Sequence, residues 1–347
     1  MKKILIVSII LGVIIRLILS IATYHQDLGA IALAGKYIVG DGHWLDFYNL
    51  STLDVSKTIF NYQPLAYLIP SLVYLPFFGI IKNFGELLVN NSWLNSQPAN
   101  FNFLLLLFKL PMLFADLAIL FLLPRFFEKE NNKQTAQIIW ALNPVAIYVS
   151  SIMGQVDIIL ALLILASSYL IIQKKYFLSA IFIAISALIK PIGLIILPVI
   201  FFNSIPAALT GFGVYLLGIL PYLNLASYRH YALFADQINK STFAGITIAP
   251  GTQIPWFFIA YLLILYLYWQ KKLTTNQTYL GILLSSLAFT HFHPQWFIWL
   301  MPPAIIYAIK SKQLLVLGLI VLSWIVVLLS FDDTLFLRSF LHSQLSL

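Results

Sequence analysis

The sequence predicts an all-α protein, a polytopic bundle of transmembrane helices. Three observations predict it. Apolar residues make up 61% of the 347 residues and charged residues 9%, against about 25% charged in a soluble domain. Long apolar runs recur along the chain. Lysine and arginine fall in clusters between those runs and never more than two in a row. Such a chain has too few polar groups to cover a water-facing surface, which excludes a soluble globular protein and a disordered one. The net charge of +8 follows from cations held on one side of a bilayer and implies no nucleic-acid partner. The sequence contains no cysteine, which excludes disulfides, thiolate metal sites and cysteine nucleophiles.

The first run, Ile4–Ala22, follows Lys2 and Lys3. Ser20-Ile21-Ala22 resembles a signal-peptide cleavage site, but the run exceeds the usual apolar region of about 7–15 residues. It reads as an uncleaved first span with a cytoplasmic N-terminus. Further runs lie at 101–124, 137–152, 158–172, 176–189, 192–203, 206–222, 254–270, 278–290, 296–309 and 313–331. Cations sit at Arg125/Lys129/Lys133, Lys174/Lys175, Lys271/Lys272 and Lys310/Lys312. Keeping all of them inside places 64–82 in the outer interface or in a re-entrant segment. It also splits 176–203 into two short spans that meet at an external Lys190-Pro191. The result is about 11 spans in a single domain, 1–347, with the C-terminus outside. The long first external loop, 23–100, carries juxtamembrane helices, and a second external loop covers 223–252. Spans this short fall below the about 20 residues that cross a bilayer squarely, and are tolerated when buried in protein or lining a wet cavity.

On this topology all six histidines and nine of the twelve acids are external. Ionisable groups at a membrane boundary are costly and mark sites, so the chemistry is expected on the extracytoplasmic side. Asp27 follows the first span directly; it is either a catalytic carboxylate or an interfacial acid or helix N-cap. His25-Gln26-Asp27 offers two metal ligands, too few for a site. Arg16, eleven residues before Asp27, snorkels to the interface or orients an anion. Trp44 and Tyr62-Gln63-Pro64 read as aromatic belt anchors or sugar-stacking groups. Gly154-Gln155-Val156-Asp157 forms an outer turn, Gly154 as the turn glycine and Asp157 as an N-cap or a hydroxyl binder. At Lys190-Pro191 the proline frees backbone groups and the lysine suits a phosphate. His291-Phe292-His293 caps a late outer turn and suits phosphate or metal, or is simply solvated.

Taken in order, these positions resemble the GT-C superfamily of membrane glycosyltransferases that use polyprenyl-phosphate sugars. The matching elements are Asp27-Leu28 with Ala34-Gly35 and Gly40, Tyr62-Gln63-Pro64-Leu65, Ala115-Asp116-Leu117, Asn143-Pro144, Gly154-Gln155-Val156-Asp157, Lys190-Pro191 and His291-Phe292-His293. The resemblance covers about residues 5–310. Gln63 departs from the family's first proline, no Asp-x-Asp pair occurs, and the soluble C-terminal domain of the oligosaccharyltransferase branch is absent.

The resemblance implies an enzyme of the multi-pass cell membrane that moves a hexose, mannose foremost, from a polyprenyl-phosphate donor to a lipid-linked, glycan or protein acceptor, with inversion. Asp27 is expected to be the general base, since carboxylates are ionised at neutral pH and glycosyl transfer passes through an oxocarbenium-like state. Lys190, His291, His293 and Arg16 are expected to bind the donor phosphate. Gln155, Asp157, Tyr62, Gln63 and Trp44 are expected at the sugar or acceptor. No cofactor or metal is required, and the activity should survive chelation. The competing class is a polytopic transporter or lipid-linked glycan flippase, which shares broken helices and intramembrane charges but normally shows internal repeats; none is visible here.

Overall fold

The structure is a computed structural model that describes residues 2–53, 60–82, 100–234, 243–249, 252–290 and 293–330. His291, most of the 83–100 stretch and the C-terminal end of the chain lie outside the described residues.

Helix α1 spans Lys2–Ala22. Its only buried residues are Ser8, Gly12, Arg16 and Ser20, four apart and therefore on one face. Ile4, Ile6, Val7, Ile10 and Leu17 are exposed. Small and polar residues thus face the bundle while the branched apolar ones face outward, the arrangement expected of a helix solvated by lipid. After α1 come α2 (Gln26–Gly35), which runs into a π turn at Lys36–Gly40, and α3 (Phe47–Leu53). Helix α4 starts at Leu65 and continues through Pro70 and a 3-10 turn to Lys82.

Helix α5 (Phe101–Leu122) is the longest element. Helices α6 (Glu130–Ala141) and α7 (Pro144–Ile147, extended by a π turn to Met153) are bent by 44° at Asn143-Pro144. Asn143 is an N-cap that accepts the Ala146 N–H at 3.1 Å, with proline in the first turn. Helices α8 (Asp157–Ile172) and α9 (Tyr176–Ala187) follow. A second break at Lys190 leads through the 3-10 segment Pro191–Ile196 into α10 (Leu197–Phe201). Lys190 is extended (φ −145°, ψ 136°), as a residue before proline prefers.

Next come α11 (Ile205–Ile219), the short α12 (Ala226–Tyr228), and an antiparallel hairpin of β1 (Gly245–Ala249) and β2 (Thr252–Pro255). Helices α13 (Trp256–Trp269), α14 (Thr275–Phe289), α15 (Phe297–Ser311) and α16 (Leu314–Ser330) complete the fold.

The all-α expectation holds, with one small hairpin added. The span count is a different matter. Among the described residues four helices are long and apolar enough to cross a membrane: Lys2–Ala22, Leu65–Lys82, Phe101–Phe126 and Ile205–Tyr222. A fifth results if the bent Glu130–Ala141 and Pro144–Met153 pair counts as one span. Helix length therefore does not carry the count of eleven. The segment expected at the interface, 64–82, is itself one of the four that meet the length criterion. The reason for the shortfall is local. The Asn-Pro and Lys-Pro breaks leave pieces of four to twelve residues, and the helices away from them, α8, α13, α14, α15 and α16, run fourteen to seventeen residues.

Helix α8 is central, packing against α5, α9, α14 and α15. Ser167, Ser179 and Tyr279 join three of these helices through hydroxyl contacts of 2.7 and 2.9 Å, the kind of polar pairing that holds helices together where the surroundings are as apolar as the core.

The first-loop region packs as one aromatic layer. Phe47, Tyr48, Phe60, Tyr67, Tyr222 and Tyr228 have ring centroids 4.3–6.4 Å apart, each pair contributing about 0.5–1.5 kcal/mol beyond area burial. Tyr222 donates to the Trp44 carbonyl at 3.1 Å, and Ser227 donates to Asn49 at 2.6 Å. This layer fixes residues 44–50 and 60–67 onto 220–233 and so holds Tyr62 in place.

Candidate active site

Three segments meet at the Asp27 end of the bundle: the first turn of α2, the 154–157 turn before α8, and the Lys190 break. Each is shaped by its own sequence. His25 is the N-cap of α2, its Nδ1 accepting the Asp27 N–H at 3.2 Å. Asp27 is therefore not the cap that the sequence allowed. It lies in the first helical turn, where a carboxylate interacts favourably with the helix dipole. Because His25 Nδ1 accepts a hydrogen bond, its 3.7 Å approach to Asp27 Oδ2 is not an ion pair. The Asp27 side chain is 31% exposed, unlike the other acids of this region.

The tie between the first two segments is a hydrogen bond from Gln155 Nε2 to Asp27 Oδ2. Gln155 is fully buried, and its Oε1 has no hydrogen-bond partner among the described residues. Gly154 before it adopts the left-handed conformation (φ 68°). A Cβ there would sit 2.9 Å from the Lys109 side chain and 3.0 Å from Leu28, so the turn requires glycine on two counts.

Lys109, in the middle of α5, went unnoticed in the sequence. Its fully buried Nζ donates to the carbonyls of Ser20 (3.3 Å) and Thr23 (2.6 Å) and to Thr23 Oγ1 (3.1 Å). Its N–H donors satisfy carbonyls that the end of α1 leaves open and anchor the chain two residues before His25. The available signal was a lone lysine within an apolar run.

The third segment brings Lys190 to Asp157. Lys190 Nζ contacts both carboxylate oxygens at 2.9 and 2.8 Å, and Trp299 Nε1 donates to Asp157 Oδ1 at 2.9 Å. Lys190 also lies 4.5 Å from the Tyr62 ring centroid, 5.7 Å from Trp296 and 5.8 Å from Trp299. The two tryptophans stack at 5.0 Å, and His293 meets Trp296 edge-on at 5.4 Å. Trp296 and Trp299 are three apart, on one face of a helix start; that spacing was readable in the sequence and was passed over. The Leu65 N–H donates to the Leu188 carbonyl at 2.8 Å, which docks the Tyr62-Gln63-Pro64 turn onto the end of α9.

Tyr62 links the parts. Tyr48 donates to its carbonyl at 2.7 Å, and its N–H donates to the Tyr67 hydroxyl at 3.3 Å. Burial raises its phenol pKa well above the ordinary range, and the Asp27 and Asp157 carboxylates add to the rise. Tyr62 is thus a neutral phenol close to both acids.

Other expected residues lie elsewhere. Arg16 is committed to a second buried cluster. Its Nε donates to Asp116 Oδ2 at 2.7 Å, one terminal nitrogen to the Gly12 and Ala141 carbonyls at 3.1 and 2.6 Å, and the other to Asp116 Oδ1 and the Trp140 carbonyl at 3.2 and 3.3 Å. All five guanidinium N–H groups are used, leaving none for a phosphate. The Asn143-Pro144 break explains the partners: Pro144 has no N–H for the Trp140 carbonyl, which accepts instead from the Asn143 N–H at 3.1 Å and from Arg16. Trp140 and Ser150 complete the shell of Asp116 at 2.8 and 2.6 Å.

Gln63 turns toward 226–233, donating to the Ala232 carbonyl at 3.0 Å and accepting from Tyr228 at 2.6 Å. Trp44 is half-buried against the aromatic layer, and its backbone takes the Tyr222 bond described above. His291 lies outside the described residues. No group of three or more His, Cys, Asp or Glu side chains close enough to hold a metal ion occurs among the described residues.

Residues 86–206 match the family model described as Alpha-(1->6)-mannopyranosyltransferase, N-terminal domain. That segment is less than half of the chain and includes Lys109, Asp116, Gln155, Asp157 and Lys190, but not Asp27, Trp296 or Trp299. The match supports a mannosyltransferase of the GT-C type and, with it, a glycosyltransferase activity. No curated protein and no solved structure matches the chain.

Proposed function

We propose that the protein transfers mannose from a polyprenyl-phosphate donor to a lipid-linked, glycan or protein acceptor on the extracytoplasmic side of the cell membrane, with inversion, and that Asp27 is the base. The observation that carries this reading is a single open carboxylate, held by Gln155, beside a buried pair of Lys190 and Asp157 under aromatic rings. The acceptor hydroxyl loses its proton to Asp27 as its oxygen attacks the anomeric carbon. The bond from that carbon to the phosphate oxygen breaks, and the lipid phosphate leaves with the electron pair.

Gln155 orients Asp27 and leaves the second Asp27 oxygen for the acceptor. Asp157 and Lys190 neutralise each other, so their role is to hold Tyr62, Trp296 and Trp299 as a floor for the sugar. The third Lys190 N–H is the group proposed to meet the phosphate, with His293 packed on Trp296 beside it. The acceptor's proton needs one carboxylate only, and the other acid of the site is already paired with lysine, so transfer is expected to persist in chelator.

The test is incubation of the purified protein with a panel of polyprenyl-phosphate sugars. Consumption of the mannosyl donor, abolished in Asp27→Asn, supports the reading. Consumption of no donor, or transport of a lipid-linked glycan across liposomes without transfer, overturns it.

A further inference from the structure

A cavity lies at the opposite end of α8 and α15 from the candidate active site, about 20 Å from Asp157 at 1.5 Å per helical residue. It has a volume of about 910 Å³ and is formed by the ends of α8, α10, α13 and α15 and the start of α14, a size at the upper end of small-molecule sites. Three features describe what would fill it.

The first is charge. Lys271 and Lys310 line the cavity, and no acid among the described residues lines it. Lys310 also lies 5.9 Å from the Phe127 ring centroid. Three helices, α8, α13 and α15, end at this side of the molecule in a lysine with left-handed backbone: Lys174, Lys271 and Lys312, at φ 58–59°. Glycine is the usual residue in that position, so positive charge is kept here against backbone preference.

The second feature is a buried acceptor. Asn276 lines the cavity, is 8% exposed, and donates Nδ2 to the Pro303 carbonyl at 3.0 Å, while its Oδ1 has no partner among the described residues. A buried carbonyl oxygen without a donor costs about 1–3 kcal/mol and calls for a ligand O–H. Asn276 lies in the first turn of α14, where a Thr274–Gln277 capping box takes the Gln277 N–H and leaves those of Thr275 and Asn276 at the helix start.

The third feature is the rim. Trp269 and Phe202 line the cavity and are 60% and 41% exposed. A free anion needs no apolar wall, whereas an acyl chain does.

We propose that this cavity binds the headgroup of an anionic, hydroxyl-bearing glycerophospholipid. The phosphodiester meets Lys271, Lys310 and the start of α14. A headgroup hydroxyl donates to Asn276 Oδ1, and an acyl chain lies along Trp269 and Phe202. The site is separate from the sugar-transfer centre and does not depend on that reading.

The test titrates dioleoyl-phosphatidylglycerol, dioleoyl-phosphatidylcholine and inorganic phosphate into the detergent-solubilised full chain and follows the thermal unfolding midpoint. Phosphatidylglycerol alone should raise it. In K271Q/K310Q the half-saturating concentration should rise about ten- to thirtyfold, at about fivefold per lysine. In K174Q/K312Q, which removes the same charge from the same end but not from the cavity, it should be unchanged. Equal stabilisation by the two lipids, an equal loss in both variants, or the same effect from inorganic phosphate overturns the proposal. Should K271Q/K310Q fail to fold, native mass spectrometry of the wild type decides. About tenfold more phosphatidylglycerol than phosphatidylcholine adducts from an equimolar mixture supports the site, and equal adducts sink it.

Discussion

The Gln155 side-chain nitrogen donates to Asp27 Oδ2 across 128 positions of sequence. This joins the turn before α8 to the first turn of α2 and orients a carboxylate that is otherwise half open. Asp27 Oδ1 takes no part in that bond, and the proposed role as general base rests on this oxygen.

Asp27→Asn should lower mannosyl transfer by about 10²–10⁴-fold, the range of general-base catalysis, while the thermal midpoint stays near wild type. Assay of the purified variant with a polyprenyl-phosphate mannose donor measures this. Turnover within a few-fold of wild type would remove Asp27 from the mechanism.

Gln155→Ala deletes a hydrogen bond to a charged group, an interaction of about 1.5–3 kcal/mol. The expected outcome is a kcat lower by about ten- to a hundredfold with little change in the donor KM, because the residue holds the base and not the donor. A rise in KM at constant kcat would reassign it to donor binding.

Lys190→Met leaves Asp157 charged, buried and unpaired, which should cost about 3–5 kcal/mol of stability. The double variant Asp157→Leu/Lys190→Met should recover much of that loss, since replacing a buried pair by apolar groups is often neutral. Denaturation of the four members of the cycle checks it. Additive losses would mean the two do not interact.

Arg16→Met should destabilise by a similar amount, about 3–5 kcal/mol, for the same reason at Asp116. It should leave the donor KM of the surviving folded protein unchanged. A donor KM raised tenfold or more would return Arg16 to the phosphate site.

Stability should fall as pH rises above about 10. Tyr62 and Tyr24 both have phenol pKa values raised by burial, with the Asp27 charge adding to each. Above the ordinary phenol pKa the unfolded chain releases protons that the folded chain retains, so the folded state loses ground until its own phenols ionise. Melts between pH 8 and 11 measure this, and Tyr62→Phe should flatten the decline. An identical decline in the variant would exclude Tyr62 as a contributor.

Much of the site could be read in the linear chain because it is built from rare residues. In a sequence with 9% charged residues, Asp27, Asp157 and Lys190 stand out, and a low-dielectric setting makes each of them expensive unless it does something. The helix breaks were equally legible, since Asn143-Pro144 and Lys190-Pro191 are local signals. Lys109 and Trp299 were not recognised, although an intramembrane lysine and an i, i+3 tryptophan pair are both visible signatures. The shortness of the spans was legible too, but their number was not, because hydropathy reports an apolar run and not whether that run crosses the bilayer.

The amino-acid sequence by itself determined that this is a helical protein of the bilayer, and where its helices break, because hydrophobicity and proline act within a few residues. Tertiary structure decided what each buried charge does. Arg16 meets Asp116 a hundred positions away, and Lys190 meets Asp157 thirty-three positions away. No local pattern encodes such partners. A charge removed from water takes whichever opposite charge the packing brings within reach, and that choice pairs Arg16 with Asp116 and Lys190 with Asp157 while the Asp27 side chain stays 31% exposed.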